Sequence, residues 1–565
     1  MARSFHPIVL TAEHIAAVNR PRRIVVNHPA DGVQYAVKNG IRIEDLIKYE
    51  LGFATDPDSQ IDAEWWCLDE TFPMKSRPMI SKASAVASSR HLGGQVGTFR
   101  RWADAGTNLA RVYQQATKEC GLECFYSYRI STEPTNEHPP LARSRPNWLM
   151  KSEWGTALWN FAEPGVRKWK QDVLRELAED YDFDGLELDF SRNAMLFPPG
   201  HQWTNRGLVN DFIREIRSTT LAIEGRRGRP FLLAARIPDC ITGCHFDGLE
   251  VEAWVHDNLI DMLVLGVRSF ELDIEWFRNL IGDRPIKLLA TLDDHHATDG
   301  YSWPGIEVFR GVAANWWQQG IDAIQTFNWG TAPPDLATQL GFAVAQAYFD
   351  GTATIPVYQQ GYRELGSPQT LAGKDKVFVV QRRGSGGSGG APVEDWSTPR
   401  FTYQNTNMLG QLPATLDDAG KVDTLLILRV ADDLAHQAHQ LRRLSLRLLL
   451  SDPATIGLDA TRTVARVIVR SFWGEPQLFT SPPLRDIAGH VQVRLNGILL
   501  AQPLVENGWL VFAPDANLFA VGKNLIAVRV TNRAPSASGS MLVEKLEVHV
   551  QYHTTMAAAA APYHR

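Results

Sequence analysis

The sequence predicts an α/β protein in which a (β/α)8 TIM barrel is followed by a C-terminal β-sandwich region. Between about residues 21 and 350, apolar strand-like runs alternate eight times with amphipathic helix-like runs. This alternation is expected of parallel strands joined by right-handed crossovers, and eight such units are enough to close a barrel. After residue 375 it gives way to short β-type runs separated by turn residues. That second pattern is typical of a β-sandwich.

The eight predicted barrel strands are apolar runs that end in polar residues. They lie within 22–32, 61–71, 122–132, 181–192, 229–239, 259–269, 285–294 and 322–330. The helix predicted at 163–180 has Pro164 at its start and apolar residues at helical spacing. The first strand is followed by NHPADG and not by a G-x-G-x-x-G loop, which disfavours the rival fold, a doubly wound open sheet.

These patterns divide the chain into four parts. We expect a catalytic barrel in 1–350, a transition in 351–375, a sandwich in 376–555 and a disordered tail in 556–565. Within the sandwich, the stretch GSGGSGGAP at 384–392 is typical of a flexible loop or a hairpin tip.

Composition and charge narrow the choice of partners. The chain has 565 residues, a net charge of −6 and 44% apolar residues, so we expect neither nucleic acid nor an anionic membrane as a partner. It has no run of about 20 apolar residues that would span a membrane. Its first residues lack the apolar stretch of a signal peptide, which predicts a cytoplasmic protein, or a secreted or periplasmic one whose signal is not part of this chain. No feature predicts the oligomeric state.

The cysteines give no indication of a metal site. Cys120 and Cys124 are four residues apart, as are Cys240 and Cys244, whereas zinc sites usually contain more closely spaced pairs. We therefore expect small buried thiols, and no cofactor or metal.

The fourth predicted strand, in YDFDGLELDFSR (181–192), carries the main functional signal. Leu186, Leu188 and Phe190 alternate with Glu187 and Asp189, so one face of the strand is apolar and the other bears two carboxylates. Burial of carboxylates without partners is costly. In a barrel the apolar face packs outward against helices, and the carboxylates point inward near the C-terminal mouth, where active sites of this fold lie.

Two segments resemble known families. Residues 146–192, with a P-x-W stretch and the YDFDG-x-x-x-D-x-x-R strand, resemble the glycoside-hydrolase-like barrels grouped near family 10 of the glycosidases. Residues 493–532, with an LNG turn and the strand GKNLIAVRV, resemble the galactose-binding-like sandwich of multidomain glycosidases. The resemblance implies a glycosidase that acts on an oligosaccharide or glycoside. The strand also looks like the DG-x-D-x-D-x-E strand of chitinases, but Ser191 occupies the glutamate position, so we reject a chitinase-type mechanism.

Glycoside hydrolysis needs two carboxyl groups. Asp189 is the first candidate for the nucleophile or base, and its alternative role is that of a carboxylate paired with an arginine inside the barrel. Glu187, one layer deeper, is a catalytic or a structural partner. Asp293 and His138 are candidates for the second group, and the carboxylates following strands one, three and five stay open (Asp31, Glu133 and Asp239).

Five further residues are predicted to bind substrate. Arg129, Arg192 and Arg236 follow strands three, four and five, and would pair with Glu187 and Asp189 or recognise an acidic sugar. Asn328 and Trp329, at the end of strand eight, suit a hydroxyl-binding amide and a stacking surface; their alternative role is core closure. Two other functions stay open: a non-catalytic carbohydrate-binding barrel, and a metal-dependent hydrolase or lyase that uses the Asp293–His296 cluster.

Overall fold

Eight parallel strands close into a barrel in the computed structural model of the chain. The strands are β1 (Ile24–His28), β2 (Ile61–Trp66), β3 (Glu123–Arg129), β4 (Gly185–Asp189), β5 (Leu232–Ile237), β6 (Met262–Leu265), β7 (Lys287–Asp293) and β8 (Ala323–Phe327). Each pairs in parallel with its neighbours in sequence, and β8 pairs with β1. All eight predicted strands are therefore confirmed.

The structure describes residues 7–28, 36, 39–67, 106–131, 139–151, 157–192, 195–266, 269–293, 295–296, 301–302, 304–327, 329–330, 332–342, 355–382, 408–451, 465–469, 477–481, 487–506, 508–533 and 540–553. The predicted flexible stretch 384–392 and the predicted disordered tail lie outside these residues.

Helices surround the barrel. They are α1 (Ala12–Val18), α2 (Ile43–Glu50), α3 (Leu109–Glu119), α4 (Pro139–Ser144), α5 (Pro164–Asp180), α6 (Arg206–Arg227), α7 (Ile241–Asp247), α8 (Val251–His256), α9 (Ile274–Ile281), α10 (Ile306–Gln319), α11 (Pro334–Gln339), α12 (Ile355–Glu364) and α13 (Pro368–Leu371). Helix α5 begins at Pro164 as predicted. None of the described helices has both the length and the apolar character needed to cross a membrane.

Apolar side chains fill both the layer outside strand β4 and the N-terminal part of the barrel interior. Leu186, Leu188 and Phe190 are buried in the layer between strands and helices, which confirms the predicted outward face. Inside the barrel an apolar plug is formed by residues from seven strands: Val25, Ala63, Trp65, Phe125, Leu232, Ala234, Met262, Val264, Leu289 and Ala323. Gly185 begins β4 beside this plug, because a Cβ there would lie 2.6 Å from the Phe125 ring. The polar residues of the lumen thus lie nearer the C-terminal ends of the strands.

The C-terminal region is antiparallel. Its strands are β9 (Lys376–Val379), β10 (Ala414–Thr415), β11 (Thr424–Val430), β12 (Leu441–Ser451), β13 (Ala465–Val469), β14 (Gln477–Ser481), β15 (Val491–Leu495), β16 (Ile498–Leu499), β17 (Leu504–Glu506), β18 (Trp509–Phe512), β19 (Gly522–Val530) and β20 (Leu542–Tyr552). One sheet has the order β9-β20-β12-β18-β17, with β10 also on β20, and a second has the order β11-β19-β15-β16. Each sheet contributes a buried apolar face to one core, which confirms the fold class.

The barrel and the sheets share a continuous apolar core. The predicted transition, 351–375, contains α12 and α13, and Tyr362 of α12 packs against Trp329 of the barrel with ring centroids 5.4 Å apart. Four of the five cysteines are buried as predicted, whereas Cys120 is exposed.

Candidate active site

Glu187 lies at the centre of the barrel lumen and joins three distant strands. Its Oε2 accepts hydrogen bonds from Asn27 Nδ2 at 2.7 Å and from the Ser127 hydroxyl. Its Oε1 accepts one from Gln325 Nε2 at 2.8 Å. The side chain is fully buried, so strands β1, β3 and β8 provide the partners that a buried carboxyl group needs.

The protonation of Glu187 is set by opposing influences. Burial raises the pKa of Glu187, and the neighbouring Asp189 carboxylate raises it further. Arg236 and the hydrogen bonds from Gln325 and Ser127 oppose this rise without cancelling it. Glu187 therefore holds its proton more strongly than an ordinary glutamate, which suits a group that shares a proton or fixes neighbours.

Asp189 ends β4 and closes the turn that follows. Its Oδ1 accepts the backbone N–H groups of Ser191 at 3.0 Å and Arg192 at 2.9 Å. Its Oδ2 accepts a hydrogen bond from Arg236 Nη2. These three donors satisfy both oxygens of a fully buried carboxylate. The same contacts fix its orientation relative to the mouth of the barrel.

Arg236, on β5, crosses the lumen above Glu187. Its Nε lies 4.0 Å from Glu187 Oε1, and its Cζ lies 4.4 Å from the centroid of the Phe327 ring. Burial alone would lower the pKa of Arg236, but Asp189 and Glu187 outweigh it and raise the pKa. Its Nε and Nη1 are buried and make no hydrogen bond to any residue that the structure describes. The guanidinium therefore has donors left for a ligand or for water.

Other predicted residues also lie at this end of the barrel. Arg129 ends β3 beside Asp189 and is partly exposed. Asp293 ends β7 beside Phe327 and is 1% exposed. Arg192 supplies a backbone donor to Asp189, and its side chain is partly exposed. The structure thus brings the ends of β3, β4, β5 and β7 together around charged groups.

Trp329 packs against helices α10 and α12. It is 3% exposed, and its ring centroid lies 5.0 Å from that of Phe309 and 4.9 Å from that of Tyr358. These partners belong to α10 and α12. Two roles were considered for Trp329 from the sequence, a stacking surface for sugar and closure of the core, and this packing corresponds to the second. Its Nε1 is buried without a hydrogen bond to the described residues.

Several predicted residues lie outside the described part of the chain. They are Asp31, Glu133, His138, Asp294, Asn328 and the side chains of His295 and His296. Among the side chains that the structure does describe, no cluster of three or more His, Cys, Asp or Glu has the arrangement of a metal site. The metal hypothesis stays untested, because most of its cluster is not among them.

Four residues of the barrel lumen were not predicted from the sequence. Asn27, Ser127 and Gln325 hold Glu187, and Phe327 lies against Arg236. A signal was present, since each polar residue interrupts an apolar strand on the inward face. Only closure of the barrel shows that all three meet one carboxyl group.

No family model matches the chain, and no curated protein matches it. The resemblances to the group near family 10 and to galactose-binding-like sandwiches therefore stay predictions.

The solved structures to which the chain shows a low similarity include several carbohydrate-active proteins. The α-L-fucosidase isoenzyme 2 from Paenibacillus thiaminolyticus is 12% identical with a TM-score of 0.35, over 59% of this chain and 50% of that one. The glycoside hydrolase domain of PgaB (BpsB) from Bordetella bronchiseptica is 13% identical with a TM-score of 0.35, over 62% and 99%. The α-amylase from Geobacillus thermoleovorans is 12% identical with a TM-score of 0.31, over 90% and 99%. Similarity at this level carries no argument about activity, which depends on the site itself.

Proposed function

We propose that the protein is a glycoside hydrolase that cleaves a glycosidic bond of an oligosaccharide or glycoside. The observation that supports this proposal best is the group formed by Glu187, Asp189 and Arg236 on the inward faces of β4 and β5. It lies toward the C-terminal ends of the strands, where the active sites of this fold are built. Glycoside hydrolysis needs carboxyl groups in two different states, one that gives a proton and one that is ionised.

Asp189, the proton donor and Glu187 have different roles in this reaction. Asp189, whose oxygens accept hydrogen bonds from Arg236 and from two backbone N–H groups, acts as the nucleophile or as the base that activates water. The leaving oxygen receives a proton from a second group, for which Asp293 at the end of β7 and His138 are the candidates. Glu187, with its raised pKa, holds Arg236 and Asp189 in place from below.

We further propose that the substrate bears an acidic sugar. Arg236 has one hydrogen-bonded carboxylate partner, and its buried Nε and Nη1 make no hydrogen bond within the part of the chain that the structure describes. Arg129 and Arg192 add positive charge at neighbouring strand ends. A substrate carboxylate or sulfate would satisfy such donors with charge-assisted hydrogen bonds, which a neutral hydroxyl does not match in strength.

A non-catalytic carbohydrate-binding barrel is the second candidate. Both Glu187 oxygens and both Asp189 oxygens accept hydrogen bonds from the protein itself, and Ser191 occupies the position of the chitinase acid. These contacts favour a structural role for the two carboxylates. A protein of this kind would bind sugar without turning it over.

A panel of chromogenic glycosides, acidic sugars included, tests the proposal. We expect the purified protein to hydrolyse at least one of them, and Asp189→Asn to abolish that hydrolysis. Asp182→Asn is the matched control, because Asp182 precedes the same strand and its side chain is 64% exposed. Sugar binding without turnover would favour the second candidate.

A further inference from the structure

The C-terminal region contacts the barrel loop that follows β6 through a buried glutamine. Oε1 of Gln381 accepts the backbone N–H groups of Phe270 at 2.9 Å and Glu271 at 2.8 Å. Gln381 lies just beyond β9 and is fully buried. Two consecutive amides of one loop therefore depend on a side chain more than 100 residues away in sequence.

A second contact ties the loop after β5 to the same region. Asp239 lies two residues past β5, and its Oδ2 accepts hydrogen bonds from Ser269 Oγ at 3.1 Å and from the backbone N–H of Met408 at 2.9 Å. Its backbone carbonyl accepts the N–H of Asp273 at 2.9 Å. Asp239 thus joins the loops after β5 and β6 to each other and to Met408 of the C-terminal region.

A third contact reaches the hairpin after β7, in which His295–His296 pairs with Tyr301–Ser302. Tyr301 is 5% exposed, and its hydroxyl donates to Glu547 Oε1 at 3.0 Å. Lys545 places its Nζ 4.0 Å from the centroid of the Tyr301 ring, and His549 Nε2 lies 2.7 Å from Glu547 Oε2. Three residues of β20 therefore hold the side chain of Tyr301 in one orientation.

The junction behind these contacts is tightly packed. Helix α10 lies directly on β9, since a Cβ added to Gly311 would lie 2.1 Å from the Val377 carbonyl oxygen. Trp316 of the same helix donates its Nε1–H to the carbonyl of Phe270 at 2.9 Å. A junction with so little space between its backbones does not act as a hinge between independent units.

We infer that the C-terminal region is part of the scaffold of the active site, and that Gln381 and Glu547 are positioning residues for the loops after β6 and β7. Loops at the C-terminal ends of barrel strands form the substrate site in this fold. The effect on substrate rests on the proposed function, whereas the effect on the loops does not. Loosening these loops weakens substrate binding more than turnover, because Glu187 and Asp189 are held within the barrel by β1, β3, β5 and β8.

Hydrogen exchange of the full-length protein tests the effect on the loop. Gln381→Leu removes the acceptor of the Phe270 and Glu271 N–H groups, whereas Gln381→Glu keeps it. Gln411→Leu is the matched control, because the Gln411 amide likewise bonds the N–H and carbonyl of Ile427, but on the edge strand β11. We expect the amides of Phe270 and Glu271 to exchange at least tenfold faster in Gln381→Leu, and at close to the wild-type rate in the other two variants. Unchanged exchange in Gln381→Leu would overturn the inference.

Kinetics with any hydrolysed glycoside test the effect on substrate. Tyr301→Phe removes one hydroxyl without changing shape, so it tests the second loop if Gln381→Leu fails to fold. We expect KM to rise at least threefold in Gln381→Leu and Tyr301→Phe with kcat within about twofold, and Gln381→Glu to restore KM. A loss of kcat at constant KM would contradict the positioning role. If the wild-type protein hydrolyses no glycoside, the proposed function fails, and the exchange rates alone decide the inference.

Discussion

Arg236 and Asp189 form an ion pair inside the barrel, and neither side chain is exposed to solvent. Such a pair contributes little net stability when both partners are present, but removal of one partner leaves a buried charge that costs about 3–5 kcal/mol. The pair therefore couples the candidate catalytic group to the stability of the barrel. Any substitution at Asp189 can change both catalysis and the stability of the barrel, so the two have to be measured separately.

We predict that Asp189→Asn abolishes turnover and also lowers the free energy of unfolding by about 3 kcal/mol, because Arg236 loses its ionised partner. The double variant Asp189→Asn with Arg236→Met should regain most of that stability and remain inactive. Urea denaturation and glycoside hydrolysis, measured on the same preparations, check both statements. Activity of the double variant near that of the wild type would remove Asp189 from the mechanism.

We predict that Arg129→Ala raises KM selectively for an acidic glycoside. Arg129 is partly exposed at the end of β3, next to Asp189, so its loss should disturb the fold little. Arg236→Lys keeps a positive charge near Asp189 but loses the planar fork that binds a carboxylate through two hydrogen bonds. We expect about a tenfold rise in KM for the acidic substrate in both variants, and less than threefold for its neutral analogue. Equal changes for the two substrates would argue against an acidic sugar.

The sequence predicts local features of this protein better than the contacts that closure of the barrel creates. The alternation of Leu186, Glu187, Leu188 and Asp189 correctly predicted which face of β4 points inward, because it depends only on the period of a strand. The donors to Glu187 come from strands up to 160 residues away in sequence. No local pattern identifies them as partners of one carboxyl group.

The roles of Trp329 and Gln381 also depend on contacts between residues that are distant in sequence. A tryptophan after a strand suits a stacking surface or a core, and only the positions of α10 and α12 place Trp329 in the core. Gln381 stands at the predicted start of a separate domain, yet its side chain caps two amides of the barrel. Such a contact depends on how two regions pack together, which composition and periodicity do not report.

We predict that His14 makes stability fall at alkaline pH. Burial alone would lower the pKa of His14, but hydrogen bonds to Asp261 at 2.8 Å and to Glu224 at 2.6 Å raise it. A raised pKa means that the folded state binds the proton more tightly than the unfolded state. The stabilisation is therefore complete below the ordinary value of 6.5 and is lost as the pH rises through the folded pKa.

The measurement for His14 is urea denaturation between pH 5 and pH 10. We expect His14→Gln to be less stable than the wild type at pH 5 by about 1–3 kcal/mol, with a smaller difference at pH 10. His439→Gln, at an exposed position, should show no such pH dependence. A constant difference across the range would mean that His14 acts through packing and not through its charge.

We predict that the ionisation of Glu271 also makes the free energy of unfolding fall as the pH rises. Burial raises the pKa of Glu271 to about 7, against which the charge of Arg429 acts only in part. Two further carboxylates lie close to Arg429: burial raises the pKa of Asp273, whereas hydrogen bonds from Arg429 and Lys523 lower that of Glu275 to about 2. The folded state keeps a proton on Glu271 that the unfolded state has lost above its ordinary value of 4.5.

The free energy of unfolding should therefore fall as the pH rises from about 4.5 to about 7, and the penalty should be complete above that range. At about 1.4 kcal/mol per pH unit the formal ceiling is roughly 3 kcal/mol, and partial exposure of Glu271 reduces this to about 1–2 kcal/mol. Glu271→Gln removes the ionisation, so it should be more stable than the wild type at pH 8 and equally stable near pH 4. Glu13→Gln, at an exposed position on α1, is the control. Thermal denaturation at the two pH values decides the matter, and a variant no more stable than the wild type at pH 8 would show that Glu271 ionises without cost in the folded protein.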